Sequence, residues 1–250
     1  MDACRHALVA DKGLDAALWN KCITAIVKDV AGGVIPKKVA VKMLEEVAIM
    51  AAIVGSAEII GAIASSSKAA QVGGDLAASD NHVLRVAAQE GHVEVVELLL
   101  AKKEEDTELY GDIDPAAKDN AAIQIASQNG RIEVVKLLLM KKENGPESYG
   151  GIKPAAGDNY AIRWASANGY VKMVEYLLEK KEGDVDNEHG YQKIDSAAEN
   201  NKAIRWASEN GHAEVVRLLL ERKEKRPELC AKLDPAAETN GPLLSLAAIL

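Results

Sequence analysis

The sequence contains no phenylalanine, and aromatic residues make up only 4% of its 250 positions although 48% of the residues are hydrophobic. Any core must therefore be built mainly from Ala, Val, Ile and Leu. This scarcity argues against a β-sandwich or β-barrel, because pleated surfaces favour aromatic and β-branched side chains. The 19 Gly and 7 Pro are ordinary numbers for a globular chain, so the composition also excludes collagen-like and disordered classes.

The chain also has few cysteines, and its net charge is negative. Cys4, Cys22 and Cys230 are far apart in the sequence. They predict buried or free thiols in a reducing, cytoplasmic compartment, and neither a disulfide framework nor a zinc site. The formal net charge of −8 repels a phosphate backbone, which predicts that nucleic acid is not a partner. The N-terminus also lacks the basic and apolar segments of a secretory signal peptide.

Motifs for catalysis and cofactor binding are missing from the sequence. The five histidines show no metal-ligand spacing with one another, a carboxylate or a thiol. There is no glycine-rich phosphate loop, nucleophile elbow or metalloprotease helix. The sequence therefore predicts a protein that is not an enzyme, with no catalytic residue, no metal and no cofactor.

A repeated pattern is the most informative feature of the chain. Four similar stretches begin at residues 80, 119, 158 and 200, and each contains a glycine near its middle. These glycines are Gly91, Gly130, Gly169 and Gly211, so the spacings between them are 39, 39 and 42 residues. Self-similarity at such a period is typical of proteins built from stacked repeats.

Each repeat predicts two short helices separated by its glycine. In the fourth repeat the first helix runs from about residue 203 and ends at Gly211, because glycine readily takes the left-handed conformation at a helix C-terminus. The second helix runs from about residue 214 and contains Val215, Val216 and Leu219. This helix is too apolar for a solvated position, which predicts burial between neighbouring repeats.

The fourth repeat shows which residues carry a family resemblance. Ile204, Ala207, the pair Gly211 and His212, and the following Val-Val-x-Leu-Leu run stand in the order found in the ankyrin repeat. Four copies in phase across residues 77–223 resemble that repeat, in a style similar to repeats of giant viruses, amoebae and their intracellular bacteria. The resemblance implies an all-α ankyrin-repeat solenoid of stacked helix-turn-helix units, with extended inter-repeat loops and an N-terminal helical cap.

The chain departs from the ankyrin pattern in two respects. The usual Thr-Pro turn and His are missing from the four copies, and Arg85, Gln124, Arg163 and Arg205 occupy the His position. We predict that these side chains hydrogen-bond to carbonyl groups of the adjacent loop. The period also exceeds the family's length of about 33 residues, and the extra residues follow the second helix, where they should lengthen the inter-repeat loops.

The repeat pattern suggests a division of the chain. Residues 1–40 are predicted to be an N-terminal helical segment, and residues 41–250 an ankyrin repeat domain. That domain comprises a degenerate repeat at 41–76, four clear repeats at 77–235 and a truncated last repeat at 236–250. The alternative for the nearly uncharged residues 47–66 is a membrane span, but Glu58 and the alignment of Gly55 with the later glycines favour the degenerate repeat. We therefore expect no membrane span.

The resemblance implies a non-catalytic scaffold for protein–protein interaction. It would bind another protein through the concave ankyrin surface and the hairpin loops, as a monomer in the cytoplasm. Trp164 and Trp206 are interpreted as partly buried packing residues beside that surface. The candidate contact residues occupy positions that vary between repeats while the packing positions do not: His82, Gln89, Glu90, Gln128, Asn129, Tyr160, Asn168, Lys202 and Glu209.

Two alternatives remain open on the sequence alone. One is a host-targeted effector of an intracellular bacterium or giant virus, located in the host cytosol, with its activity in the N-terminal segment or outside this sequence. The other is an enzyme or membrane protein whose working part is residues 1–76 or lies beyond Leu250.

Overall fold

The computed structural model describes residues 24–25, 28–64, 75–101, 113–144, 152–179 and 198–225. Within these ranges the chain forms α-helices and turns and no β-strand, which confirms the all-α prediction. The three cysteines, residues 1–23 of the N-terminal segment, most of the inter-repeat loops and the truncated last repeat lie outside the described residues. The chain divides into two compact units, Met1–Ala117 and Lys118–Leu250.

The helices follow one another in pairs, with each odd-numbered helix opening a pair. The first unit contains α1 (Lys37–Val54), α2 (Ala57–Ala64), α3 (Ala78–Glu90) and α4 (Val93–Leu100). Ala117, its last residue, begins α5 (Ala117–Gln128). The second unit continues with α6 (Ile132–Asn144), α7 (Ala156–Ala167), α8 (Val171–Glu179), α9 (Ala198–Glu209) and α10 (Ala213–Lys225).

Within each unit, odd-numbered helices pack against odd-numbered helices, and even-numbered helices pack against even-numbered ones. In the first unit α1 contacts α3 and α2 contacts α4, and in the second unit α7 contacts α9 and α8 contacts α10. Alanines at one repeat position are fully buried in the odd-numbered helices: Ala87, Ala126, Ala165 and Ala207. Because alanine is small, the odd-numbered helices can approach closely, and Val and Leu from the even-numbered helices fill the rest of the core.

The glycine at the end of each odd-numbered helix takes a conformation that other residues rarely adopt. The φ angles at Gly55, Gly91, Gly130, Gly169 and Gly211 lie between 69° and 88°. The chain turns there into the even-numbered helix, since a left-handed residue ends an α-helix. This confirms the prediction that glycine stops the first helix of each repeat.

The apolar stretch at residues 47–64 is divided between α1 and α2 by Gly55, whose φ is 77°. Ile59, Ile60 and Ile63 in α2 are at most 1% exposed, so this stretch packs like a helix pair of the later repeats. None of the helices in the described ranges is long and apolar enough to cross a membrane.

A left-handed turn of three residues opens α3, a feature that the sequence analysis did not predict. Ser79, Asp80 and Asn81 have φ angles of 54° to 59° and ψ angles of 44° to 50°. Similar turns occur at residues 118–120 and 157–159, and Glu199 and Asn201 show the same positive φ in α9. Left-handed geometry costs non-glycine residues roughly 1–2 kcal/mol each, although Asn and Asp tolerate it better than most. Other interactions must therefore offset this cost.

The last residue of each left-handed turn is a buried asparagine. Asn81, Asn120, Asn159 and Asn201 are at most 9% exposed. The side-chain oxygen of Asn81 accepts a hydrogen bond of 3.2 Å from the backbone N–H of Asp114, and that of Asn120 accepts one of 2.6 Å from the N–H of Lys153. These two bonds tie the start of one repeat to the start of the next.

Candidate partner-binding surface

The residue that replaces the usual ankyrin histidine fixes the left-handed turn. An Nη2–H of Arg85 donates to the carbonyl of Ser79 at 3.0 Å, and one of Arg163 donates to that of Gly157 at 2.9 Å. Gln124 donates from Nε2 to the carbonyl of Asp119 at 2.6 Å, as Nε of Arg85 does to the carbonyl of Asp80 at 3.2 Å. These contacts confirm for three repeats that this position bonds to carbonyl groups of the adjacent loop.

The histidines at the glycine turns have a structural role. Nε2 of His92 lies 3.0 Å from the carbonyl oxygen of Ile53, and Nε2 of His212 lies 3.0 Å from that of Ala167. Each ring also covers the glycine of the preceding repeat, because a Cβ added to Gly169 would lie only 2.5 Å from Nδ1 of His212. Across the described ranges, no three His, Cys, Asp or Glu side chains are grouped so that they could hold a metal ion.

Three aromatic rings form a continuous row on α7 and α9, and we call Tyr160, Trp164 and Trp206 the aromatic row. The ring centroids of Tyr160 and Trp164 are 5.7 Å apart, and those of Trp164 and Trp206 are 5.4 Å apart. The ring planes meet at 36° and 54°, which are tilted contacts typical of favourable aromatic pairs. All three side chains are half-buried, so part of each ring reaches the surface.

Two cations lie against the last ring of the aromatic row. Nζ of Lys202 is 5.7 Å from the ring centroid of Trp206, and Cζ of Arg163 is 5.9 Å from it. Both distances suit cation–π attraction. Lys202 also donates a 2.7 Å hydrogen bond to Glu199, and that bond, reinforced by the charge of Lys202, lowers the pKa of the Glu199 carboxyl.

Arg163 is an unusual residue within this group. It is 8% exposed, and although Nη2 bonds to the turn, its Nε has no hydrogen-bond partner in the part of the chain that the structure describes. A guanidinium is costly to bury unless its donors are satisfied. The aromatic row is therefore flanked by a buried positive charge with unused hydrogen-bonding capacity.

The first ring of the aromatic row is held by a neighbouring helix. The hydroxyl of Tyr160 donates to the side-chain oxygen of Gln128 at 2.9 Å. Burial raises the pKa of the Tyr160 phenol, while the charge of Arg163 acts in the opposite direction. The phenol is thus neutral at physiological pH and keeps the proton that it donates to Gln128.

Two predicted contact residues use amide hydrogens to brace the backbone. Nδ2 of Asn129 donates to the carbonyl of Ile125 at 2.8 Å, and Nδ2 of Asn168 donates to that of Gln128 at 2.9 Å. The structure therefore brings Gln128, Tyr160 and Asn168 together and places Lys202 beside the other end of the row. Glu209 is exposed on α9.

Comparison with known protein families identifies the repeat. Two overlapping segments, residues 48–149 and 124–230, match the family model described as ankyrin repeats (3 copies). The chain belongs to the ankyrin repeat family. No match was found among curated proteins. Ankyrin repeats are generally protein–protein interaction modules, and the family is typically non-catalytic.

The ankyrin repeats of the first unit present a different surface from those of the second. His82 is half-buried there, and Nε2 of the exposed Gln89 donates to the half-buried Glu90 at 3.1 Å. Val86 occupies the repeat position that Trp164 and Trp206 hold in the second unit, and Ile125 occupies it in α5. Within the described ankyrin repeats, the aromatic row is thus confined to the second unit.

Three residues that shape this surface are not among the predicted contact residues. The sequence predicts that Trp164 and Trp206 are partly buried, and both side chains are half-buried. Their contact with each other depends on the stacking of α7 on α9, which the shared repeat position does predict. Arg163 was predicted only as a loop-binding residue, and nothing in the sequence shows that it also lies over Trp206.

Proposed function

We propose that the chain is a non-catalytic scaffold that binds another protein. Binding would occur through the face of the odd-numbered helices, which the resemblance identifies as the concave ankyrin surface, and through the hairpin loops. The observation that carries this proposal is the half-exposed aromatic row on α7 and α9. Aromatic side chains are favoured energetic centres of protein interfaces. We further propose a cytoplasmic monomer that does not bind nucleic acid.

The contrast between packing and surface positions supports this proposal. One position in the odd-numbered helices is Ala in all four repeats and is fully buried, as at Ala165 and Ala207. The preceding position is Val86, Ile125, Trp164 or Trp206 and is half-buried in every case. A constant interior with a changing surface is the arrangement expected of a scaffold that presents selected contacts to a partner.

We expect the candidate contact residues to contribute unequally to partner binding. Tyr160 and Lys202 touch or belong to the aromatic row, so we propose that they contribute most to binding. Asn129 and Asn168 each have one amide hydrogen bonded to the backbone, which leaves the rest of the amide for a partner. His82, Gln89 and Glu90 would form a separate contact in the first unit.

Affinity capture from lysate of the source cells tests the proposal. The bait proteins are the full chain and a Trp164→Ile/Trp206→Ile variant, which places at both positions the residue that the chain itself uses at Ile125. We expect a partner that is retained by the native chain and lost from the variant, while circular dichroism and melting temperature show that the variant stays folded. Ile125→Val is the matched control and should retain the partner. Equal retention by all three baits would contradict the proposal.

A further inference from the structure

The charges on the two helices that carry the aromatic row cancel. Acidic and basic side chains are equal in number on α7 and α9: Asp158, Glu199 and Glu209 against Arg163, Lys202 and Arg205. Lys202 is paired with Glu199 at 2.7 Å, and Nη2 of Arg163 donates to the carbonyl of Gly157. A charged group is costly to bury on an apolar surface unless an opposite charge compensates it. The row therefore favours an uncharged occupant.

Both tryptophans of the row have an indole N–H without an acceptor in the described part of the chain. Neither Nε1 of Trp164 nor that of Trp206 donates a hydrogen bond to a described residue. Both side chains are half-buried, and neither Nε1 belongs to the fully enclosed polar atoms that lack a partner, so each N–H reaches the surface. Because indole is a donor only, a ligand that covers these rings must bring hydrogen-bond acceptors.

The end of the row next to Tyr160 presents further amide hydrogens. Oε1 of Gln128 accepts the bond from the Tyr160 hydroxyl, while its Nε2 donates to no described residue. The exposed Asn168 uses one Nδ2–H for the carbonyl of Gln128, which leaves the other for a ligand. This end of the surface thus also calls for an occupant that is rich in acceptors.

The backbone conformation of the occupant follows from this need for acceptors. An α-helix uses its carbonyl groups for internal hydrogen bonds, and a β-strand brings its own N–H donors to a surface that already offers donors. Proline has a carbonyl but no N–H, and a polyproline II helix has no internal hydrogen bonds, so its carbonyls are free. Proline-rich segments in this conformation dock on surfaces lined by aromatic rings.

The length of the row matches one turn of a polyproline II helix. The centroid distances of 5.7 and 5.4 Å make the row at most about 11 Å long, and a polyproline II helix advances about 9 Å in each three-residue turn. Two prolines that are separated by two residues can therefore face the row together.

Resting on the proposed function, we propose that the partner presents an uncharged proline-rich segment in the polyproline II conformation to the aromatic row. Prolyl rings of that segment pack on Trp164 and Trp206, and its backbone carbonyls accept hydrogen bonds from the two indole N–H groups. Val86 and Ile125 hold the same repeat position in the earlier repeats and have no such donor. The segment therefore binds to the second unit.

Matched variants separate the contribution of the ring from that of its N–H donor. Trp206→Phe keeps an aromatic ring and removes the N–H, whereas Trp206→Ile removes both and leaves the residue that the chain itself uses at Ile125. Val86→Ile changes the same repeat position in the first unit and is the control. Circular dichroism and melting temperature verify that each variant is folded.

The experiment selects random phage-displayed 12-residue peptides on the full chain and measures the affinity of the enriched peptides by fluorescence anisotropy. We expect uncharged peptides with two prolines separated by two residues. Trp206→Phe should weaken their binding roughly fivefold, and Trp206→Ile should weaken it about thirtyfold. Val86→Ile should leave the affinity unchanged. Exchange of both peptide prolines for alanine should weaken binding at least about tenfold, because the peptide is then no longer preorganised.

Nuclear magnetic resonance reports on the two N–H groups directly. In ¹H–¹⁵N spectra of the full chain, the indole signals of Trp164 and Trp206 are assigned through their loss in Trp164→Phe and Trp206→Phe. Both signals should move downfield when an enriched peptide is added, because a carbonyl then accepts their hydrogen bonds. An enriched peptide that binds and leaves both signals in place would overturn the proposed contact.

Three outcomes of the selection would also overturn the proposal. They are enrichment of peptides without proline, enrichment of charged peptides, and failure to enrich any peptide. The proposed function is tested separately by affinity capture and does not depend on these outcomes. A partner that is lost from the Trp164→Ile/Trp206→Ile bait but is not displaced from the native chain by an enriched peptide would refute the proline-rich segment and leave the protein-binding scaffold intact.

Discussion

At the scale of single residues, the turn glycines and the rings that cover them connect neighbouring repeats. Gly169 has a φ of 73° and lies under the ring of His212, which is held by its contact with the carbonyl of Ala167. Gly211 has a similar φ of 75°, but no described atom lies within 4 Å of a Cβ added there. Among the described residues, the two glycines therefore differ in steric surroundings and hardly at all in backbone conformation.

Gly169→Ala is expected to destabilise the protein more than Gly211→Ala. Both substitutions place a side chain in left-handed geometry, which costs about 1–2 kcal/mol. At Gly169 the new methyl group must also displace His212, and the loss of its hydrogen bond adds about 1 kcal/mol. Urea denaturation of the two variants measures the difference. Equal free energies of unfolding would show that the ring contact contributes nothing to stability.

Tyr160 predicts a specific dependence of stability on pH. Because its folded-state pKa is raised by burial, the protonated phenol is favoured in the native state. Its contribution is complete below the ordinary tyrosine pKa of about 10 and is lost as pH rises through the raised folded-state value. The stability difference between the native chain and Tyr160→Phe should therefore be constant near neutral pH and fall in alkali. A difference that grew with pH would contradict the assigned cause.

At the scale of the helices, much of the fold can be predicted from sequence. The period of the glycines, the alanine at the buried position and the apolar second helices predict the helix pairs that are observed. The left-handed turns were not predicted, because an Asp-Asn or Asn-Asn pair before a helix is also the signature of an ordinary N-cap. The signal that could have revealed the turns is that this pair recurs in all four repeats, where it ends at Asn81, Asn120, Asn159 and Asn201.

Asn120→Ala tests the role of the buried asparagine in this turn. The substitution removes the 2.6 Å bond to Lys153 and places alanine at a φ of 64°, so a loss of about 2–3 kcal/mol is expected. Asn120→Gly removes the same bond without the conformational penalty and should cost about 1 kcal/mol. Chemical denaturation gives both values. If the glycine variant were as unstable as the alanine variant, left-handed strain would not be part of the explanation.

A buried and an exposed position of the fourth repeat are expected to differ in their effect on stability. Leu219 in α10 is fully buried, so Leu219→Ala should lower the free energy of unfolding by about 2–5 kcal/mol. Glu209→Ala, at an exposed position of α9, should change it by less than about 0.5 kcal/mol. Melting temperatures of the two variants provide the comparison. A large decrease for Glu209→Ala would mean that the assigned helix face is wrong.

At the scale of the whole molecule, the missing phenylalanine has a structural reason. Close packing of the odd-numbered helices requires alanine at their interfaces, and three of the five aromatic residues in the described ranges lie elsewhere on these helices. Tyr160, Trp164 and Trp206 lie together at the surface of the second unit. The position of these rings in the repeat could be predicted from sequence, but the approach of Arg163 to Trp206 required side-chain coordinates.

The central claim is that the aromatic row binds a partner protein. The most direct test is the dissociation constant of the captured partner, measured by titration calorimetry with the native chain and with Trp164→Ile/Trp206→Ile. We predict that the double variant binds at least about thirtyfold more weakly while its unfolding midpoint stays close to that of the native chain. An unchanged dissociation constant in a folded double variant would contradict the claim.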